Sequence, residues 1–455
     1  MKNVPGLTYT QDALRATAHA VLEHAHRLGA SACEVDVSEG YGLSVTVRKG
    51  AVDTIEHNRD KGLGVSVYLG ERPRVRRGHA STSDFSDTAL AQTVAAAHAI
   101  AQRTAEDDCA GLPEPGQLAT RFPDLDLCHP WALSTEAAIA LAERCEAAAF
   151  ALSPKLSNSE GASVSAQHNQ FVFANSLGFT GGYPTTRHGI WCALIAEHRG
   201  QMQRDDWMSA ARAPQDLADP VALGRYAGAR ALARLGARKI PTCEVPVLFE
   251  APMAAQLLGS FVGAASGGSL YRKASFLLDT LGEQVFSPLV TIEERPFTPR
   301  DFASGAFDDE GVATQPRDVV RAGVLEGYFL GCYSARKLGM QTTGNAGGHH
   351  NLELRRADGR PGPDFEGMLR ALGRGLLVTD LLGQGVNLVT GDYSRGAAGY
   401  WVEGGRIVHP VEEITIAGNL KDMFRGIVEI GSDTLVRNSR RSGSLLIERM
   451  MVAGA

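Results

Sequence analysis

The sequence predicts an α+β protein, with helix-plus-antiparallel-sheet units on the N-terminal side and a β-rich C-terminal domain. Two observations carry this. Apolar residues recur with period two in several short runs, the mark of strands with one buried face. Between these runs lie stretches with apolar residues at helical spacing, suited to covering that face. At 455 residues the chain exceeds one ordinary domain, so two or three units are expected.

Thr10 caps a first helix that ends at Gly29, with Leu14, Ala18, Val21, Leu22, Ala25 and Leu28 as its apolar stripe. A meander follows. Cys33, Val35 and Val37 alternate, then Leu43, Val45 and Val47, then Leu63, Val65, Val67 and Leu69. A helix over 87–103 closes this unit, 1–108, as a sheet with one polar face and one face under two helices. Residues 109–133 carry four prolines without periodicity and read as a linker. Ser134 precedes an alanine-rich helix to about Leu152. Strands near 163–167, 170–175 and 189–196 and a helix near 221–235 complete a middle unit, 134–236. Pro241 and Pro246 mark the next boundary, because the residue before a proline is disfavoured in helix. The third unit, 237–455, reads as short strands with glycine turns after one helix near 252–265. Within it, Trp401-Val402 and Ile407-Val408 flank Glu403-Gly404-Gly405, a tight hairpin whose glycines supply positive φ.

Composition narrows the function classes. A formal net charge of −6 gives no reason to expect nucleic acid or an anionic membrane as partner. The first residues lack an apolar h-region, and no window approaches the ~18 apolar residues of a spanning helix. The seven cysteines are scattered, odd in number and form no CxxC, which excludes a disulfide framework or zinc ribbon and points to a reducing, cytoplasmic setting. Neither a Walker motif, a GxSxG elbow nor a complete dinucleotide fingerprint is present.

Four blocks carry a more specific signal. They are EAPMAAQLLGSFVGAASGGSLYRKASF at 250–276, FDDEGVATQ at 307–315, TTGNA at 342–346, and the glycine-rich stretch at 376–420. In this order they resemble the TldD/PmbA family, on its PmbA (TldE) side. The resemblance implies association with metal-dependent peptide cleavage. The family's catalytic member resembles a zinc peptidase built on HExxxH with a cysteine ligand near the carboxy terminus. Imidazoles and a thiolate hold Zn²⁺ with one open position, and the glutamate takes the proton of the bound water. Here none of the thirteen histidines is followed by glutamate. Aligned from Tyr271-Arg272-Lys273, the motif position falls on Gly259-Ser260-Phe261-Val262-Gly263-Ala264, and the last cysteine is Cys332. The resemblance therefore implies a chain that binds no catalytic zinc itself and pairs with a TldD-like subunit that carries the zinc. The two would enclose a cavity for unfolded peptides, this chain serving as wall, clamp and activator. Sheet edges in the third unit suit gripping of peptide main chain by strand addition.

Several residues are candidates for contact with that cavity. His349 and His350 follow TTGNAGG, with Asn345 in the same loop, and Asp308 and Asp309 open an acidic turn ended by Gly311. The aromatics Tyr393, Tyr400 and Trp401 are candidate interface anchors. By contrast His19, Glu23 and His26 lie off the apolar stripe of the first helix and read as a solvated face. Arg72, Arg74, Arg76 and Arg77 with Pro73 read as a charged edge hairpin, and Arg437, Arg440 and Arg441 as surface or interface residues. Two other functions stay open on the residues alone. One is an autonomous metallopeptidase with metal held by His349, His350 and acids such as Asp308 and Asp309. The other is a homodimeric peptide-binding protein without chemistry.

Overall fold

The first half of the chain is organised by one long strand, β1 (Ala32–Arg48), in a computed structural model that describes residues 4–454. Its odd-numbered residues Cys33, Val35, Val37, Leu43, Val45 and Val47 are all buried, so one face of the strand is apolar in two stretches, separated by the buried Glu39, which accepts from the Thr8 and Tyr9 N–H groups. The two alternating runs seen in the sequence are thus a single strand. Gly40-Tyr41-Gly42 continues the pleat because β2 (Ala51–Leu69) and β4 (Leu156–Asn175) pair with it on either side without a break there. With β3 (Arg76–Thr82), β5 (Thr180–Gly181), β6 (Pro184–His198) and β7 (Gln201–Ala211), they form an antiparallel sheet ordered β3-β2-β1-β4-β6-β7, β5 lying against β4. This sheet joins residues of the N-terminal and middle units through the β1–β4 ladder, which runs from Glu34↔Asn175 to Val47↔Ala162.

All four long helices of this half cover the apolar face. α1 (Gln11–Arg27) and α2 (Asp87–Ala101) seal Val35, Val37, Val65 and Val172, while α3 (Thr135–Phe150) and α4 (Pro220–Ala233) seal Val45, Val164, Ile190 and Leu194. Each begins at a side-chain cap, Thr10, Ser86, Ser134 and Asp219, which accepts an N–H from the first turn. Such a cap is worth about 1 kcal/mol. His19, Glu23 and His26 are exposed, as a solvated face requires. β3 is the outer strand, so the arginine-rich turn before it does lie at a sheet edge.

The remaining chain builds two further sheets around a central helix. One is ordered β15-β14-β13-β8-β18-β16, from β8 (Cys243–Phe249), β13 (Gly375–Leu382), β14 (Asp392–Glu403), β15 (Arg406–Asn419), β16 (Ile427–Ile430) and β18 (Leu445–Ala453). The other is ordered β11-β10-β9-β12-β17, from β9 (Val290–Glu294), β10 (Arg317–Arg321), β11 (Val324–Leu325), β12 (Leu352–Arg356) and β17 (Arg440–Arg441). Helix α5 (Ala251–Ala265) lies in one continuous core with both, Leu257, Leu258 and Phe261 packing with Val247, Val378, Ile292 and Leu354. Short helices α6 (Gly267–Tyr271), α7 (Cys332–Lys337), α8 (Phe365–Leu372) and α9 (Leu420–Arg425) fill the corners. Among the described residues no helix is long and apolar enough to cross a membrane.

Two expectations for this part are corrected. β15 also pairs with β18 over Thr415–Ala417 and Met451–Ala453, so the larger sheet curls onto itself and offers less free edge for strand addition than the sequence suggested. Tyr393 and Trp401 are 2% and 8% exposed and belong to the chain's own core, because their strand faces turn toward α5. The hairpin at 403–406 forms as expected, with Gly404 and Gly405 at φ 56° and 72°, the pair of positive values that a two-residue turn needs.

Candidate functional site

The helix-free face of the first sheet forms one wall of a cleft of about 830 Å³. The pleat selects its residues. Where Val35, Val65 and Val67 turn toward the helices, Glu34, Asp36, Ser66 and Tyr68 turn the other way. The register sets Glu34 opposite Ser66 and Asp36 opposite Phe173, and brings Arg77 and His79 of β3 beside Tyr68 and Ser66. The other wall comes from far along the chain, the turn Phe307-Asp308-Asp309-Glu310 with Tyr333 of α7. Asp107 completes the rim, its carboxylate accepting from the Tyr333 hydroxyl at 2.8 Å.

Charge in the cleft is uneven. Glu34, Asp36, Asp107, Asp308, Asp309 and Glu310 line it against Arg77 and His79. Tyr68 donates to Glu34 at 2.7 Å and Arg77 stands 3.6 Å from the same oxygen. Burial still pushes the Glu34 carboxyl above its usual range, with the charge of Glu310 adding to it. Asp36 and Asp309 are raised too, chiefly by burial, and Asp309 further by the Asp36 carboxylate across the gap. Asp308 is buried at the base of its turn. One oxygen accepts from the N–H of Glu310 and of Val312, at 2.9 and 3.0 Å, and the other from Ala346 at 2.9 Å. Burial and the neighbouring Glu310 outweigh these three donors and push its carboxyl up to about 7. A partly desolvated site with this excess of carboxylates favours a cationic group, such as an ammonium or a guanidinium.

The other sequence candidates separate. Asn345 is buried behind the turn, where it donates to Glu294 at 2.7 Å and accepts from Arg317 at 3.0 Å. Its loop supports the cleft indirectly, through Ala346. His350 directs its ring nitrogens at the carbonyls of Ala303 and Gly344, at 3.2 and 2.9 Å, and His349 Nδ1 faces the carbonyl of His350. Those nitrogens are occupied by main chain, and the two histidines do not converge on Asp308 and Asp309 as a ligand set. Sequence reasoning passed over Glu34, Asp36 and His79, and read Arg77 only as edge charge. The only hint was that β1 and β3 carry charge at positions alternating with apolar or small residues.

Among the described residues, no donor set stands ready at the position where the family resemblance would put zinc. On α5, Phe261 and Ala264 are fully buried in the apolar core, and a Cβ on Gly259 would stand 2.2 Å from Arg440 Nη1. Among the described residues one group, Asp107, Asp108 and Cys109, brings potential donors within 4.8 Å of one another. The Lys337 ammonium already stands 3.0 and 3.3 Å from its two carboxylates, and burial raises the Cys109 thiol above its ordinary value.

Comparison with known proteins agrees with this architecture. Three family models match in order: PmbA/TldA metallopeptidase domain 1 over 33–101, the central domain over 128–235 and the C-terminal domain over 242–454. The chain is 47% identical over 421 residues to the Metalloprotease PmbA of Escherichia coli O157:H7, covering 92% of each. It is 41% identical over 445 residues to a Metalloprotease PmbA homolog of Haemophilus influenzae, covering 97% of this chain and 96% of that one. A crystal structure from Bacteroides thetaiotaomicron VPI-5482, named for a candidate modulator of DNA gyrase, superposes with a TM-score of 0.91 at 25% identity, covering 98% of this chain and all of the other. On this shared sequence and fold, the chain belongs to the PmbA/TldD family of metallopeptidases.

Proposed function

We propose that this chain is the non-catalytic, PmbA (TldE)-like subunit of a heteromeric zinc peptidase, and that its acidic cleft holds part of an unfolded peptide. The observation that carries the first half is the state of α5. Where the family's catalytic motif would stand, the helix offers Gly259, Ser260, Phe261, Val262, Gly263 and Ala264, and Arg440 packs over Gly259. Neither imidazole nor carboxylate is available there to hold a metal or take a proton. A TldD-like partner then supplies the zinc and the general base. The cleft supports the second half, since its apolar floor of Phe171 and Phe173 beside a carboxylate cluster suits a segment with a basic residue or a free amino terminus. The seven cysteines are all unpaired, in keeping with work in the cytoplasm.

Purification from native cytoplasm, with elemental analysis and a peptide-cleavage assay, tests this reading. The isolated chain, as monomer or homodimer, is expected to carry no stoichiometric zinc and to leave peptides intact, while the mixture with its HExxxH-bearing partner cleaves them. One tightly held zinc per chain, with cleavage by the chain alone, would mean an autonomous peptidase. Peptide binding without any such partner would mean a homodimeric binding protein.

A further inference from the structure

A second cavity, of about 350 Å³ and sharing no lining residue with the acidic cleft, lies between β7, the first turns of α5 and the segment 435–440. Six guanidinium groups line it, those of Arg187, Arg204, Arg230, Arg234, Arg437 and Arg440, together with the carboxylates of Asp205, Asp206, Glu250 and Asp380. Pairing among them is uneven. Arg230 takes Asp205 and Glu250, Arg234 takes Asp205 and Asp380, and Arg204 takes Asp206. All four carboxylates are used in this way. Arg187, Arg437 and Arg440 are left without a carboxylate partner among the described residues.

Two of these three are held in place by aromatic rings. Arg437 lies over the Trp207 ring at 3.8 Å from its centroid, and Arg187 over Phe302 at 4.6 Å. Arg437 Nη2 and Arg440 Nε are buried with no acceptor. Burial works against the charge of both side chains. Unpaired buried donors on a positive group, beside an open cavity, are the arrangement that a planar anion relieves. Arg441, next in sequence, is different, because it is already paired with Asp301.

We propose that this cavity binds a carboxylate of the peptide substrate, through Arg437 and Arg440 with Arg187 beside them. The assignment rests on the peptide-binding reading and gives it a polarity: an acidic or carboxy-terminal group here, a basic or amino-terminal one in the cleft. A carboxylate fits better than a phosphate, since a dianion would stand among Asp206, Glu250 and Asp380 as well.

Calorimetric titration of the full chain tests it, with three probes: acetyl-trialanine as the free acid, its carboxamide, and the carboxamide of acetyl-Ala-Glu-Ala. The free acid, the glutamyl peptide or both should bind roughly tenfold or more tightly than the trialanine carboxamide, and which of them does so identifies the source of the carboxylate. Arg437→Gln and Arg440→Gln should each abolish that preference while melting near the wild-type temperature, as neither breaks an ion pair. Equal affinity for all three probes, no binding of any, or a preference that survives both substitutions overturns the proposal, as does tighter binding of inorganic phosphate. A long unfolded peptide without carboxylates separates the two readings. If it binds the wild type and both variants while the short probes show no preference, peptide binding stands and the carboxylate pocket falls.

Discussion

Arg230 of α4 grips Glu250 at the head of α5 through two hydrogen bonds, of 2.7 and 3.1 Å, and the same guanidinium reaches Asp205 of β7 at 3.0 Å. One side chain thereby ties the first sheet and its helices to the third part of the chain. Both partners are nearly buried, at 13% and 11% side-chain exposure. Removing the cation would leave the Glu250 carboxylate uncompensated out of water, while Asp205 keeps Arg234 at 3.4 Å. Arg230→Ala is expected to destabilise the chain by about 3–5 kcal/mol, read as a lower denaturant midpoint. A loss below about 1 kcal/mol would show that water replaces the ion pair and that the seam is held by packing.

The aromatic side chains of the third sheet give a second test. Trp401→Ala and Tyr393→Ala each empty a core position and should cost about 3–5 kcal/mol, seen as an earlier thermal transition. A Trp401→Ala chain that melts like the wild type but binds its partner more weakly would return this side chain to the surface.

Asp308 makes stability depend on pH. Its carboxyl is raised from an ordinary 3.8 to about 7, so between those values the folded chain holds a proton that the unfolded chain releases. The sign follows: this contribution is full below the ordinary value and is lost as pH rises through about 7. Glu34, Asp36 and Asp309 are shifted in the same direction and add to it. The stability these carboxyls contribute should therefore fall as pH rises toward about 7. An opposite contribution comes from His168, His188 and His349, which burial holds below the usual histidine range. Asp308→Asn should remove the Asp308 share of the slope of melting temperature against pH. The substitution also turns an amide toward the Ala346 N–H, at a cost of about 1–3 kcal/mol. An unchanged slope in the variant would show that Asp308 is ionised throughout.

Two glycines of the β14–β15 hairpin should respond differently to alanine. A Cβ on Gly399 would stand 1.8 Å from the Leu377 carbonyl oxygen, main chain that cannot yield without opening the β13–β14 ladder. Gly399→Ala is expected to cost about 3 kcal/mol, the upper end for overpacking. Gly404 faces open space and carries only the strain of its φ of +56°, so Gly404→Ala should cost about 1 kcal/mol. Thermal melts in the reverse order would contradict this account of the hairpin.

Local chemistry, and so the sequence by itself, determined the elements. Alternating apolar residues at 33–37 and 43–47 demanded strand buried on one face, though as two runs rather than the single β1, Thr10 and Ser134 fixed where α1 and α3 begin, and Gly404-Gly405 fixed the hairpin turn. The same letters carried the family resemblance and the absence of HExxxH. Periodicity states that a face is buried or free, but not what lies against it. Glu34 and Asp36 meet Asp309 and Glu310 only because two distant segments fold together, and no local rule links them. An aromatic alternating along a strand looks alike whether it faces a partner or its own core, and the packing of α5 decided that for Tyr393 and Trp401. Arg437 and Arg440 read as surface or interface residues, because nothing in their local sequence says what packs on them. Only the seam with Trp207 and Glu250 removed them from water and left their donors without acceptors.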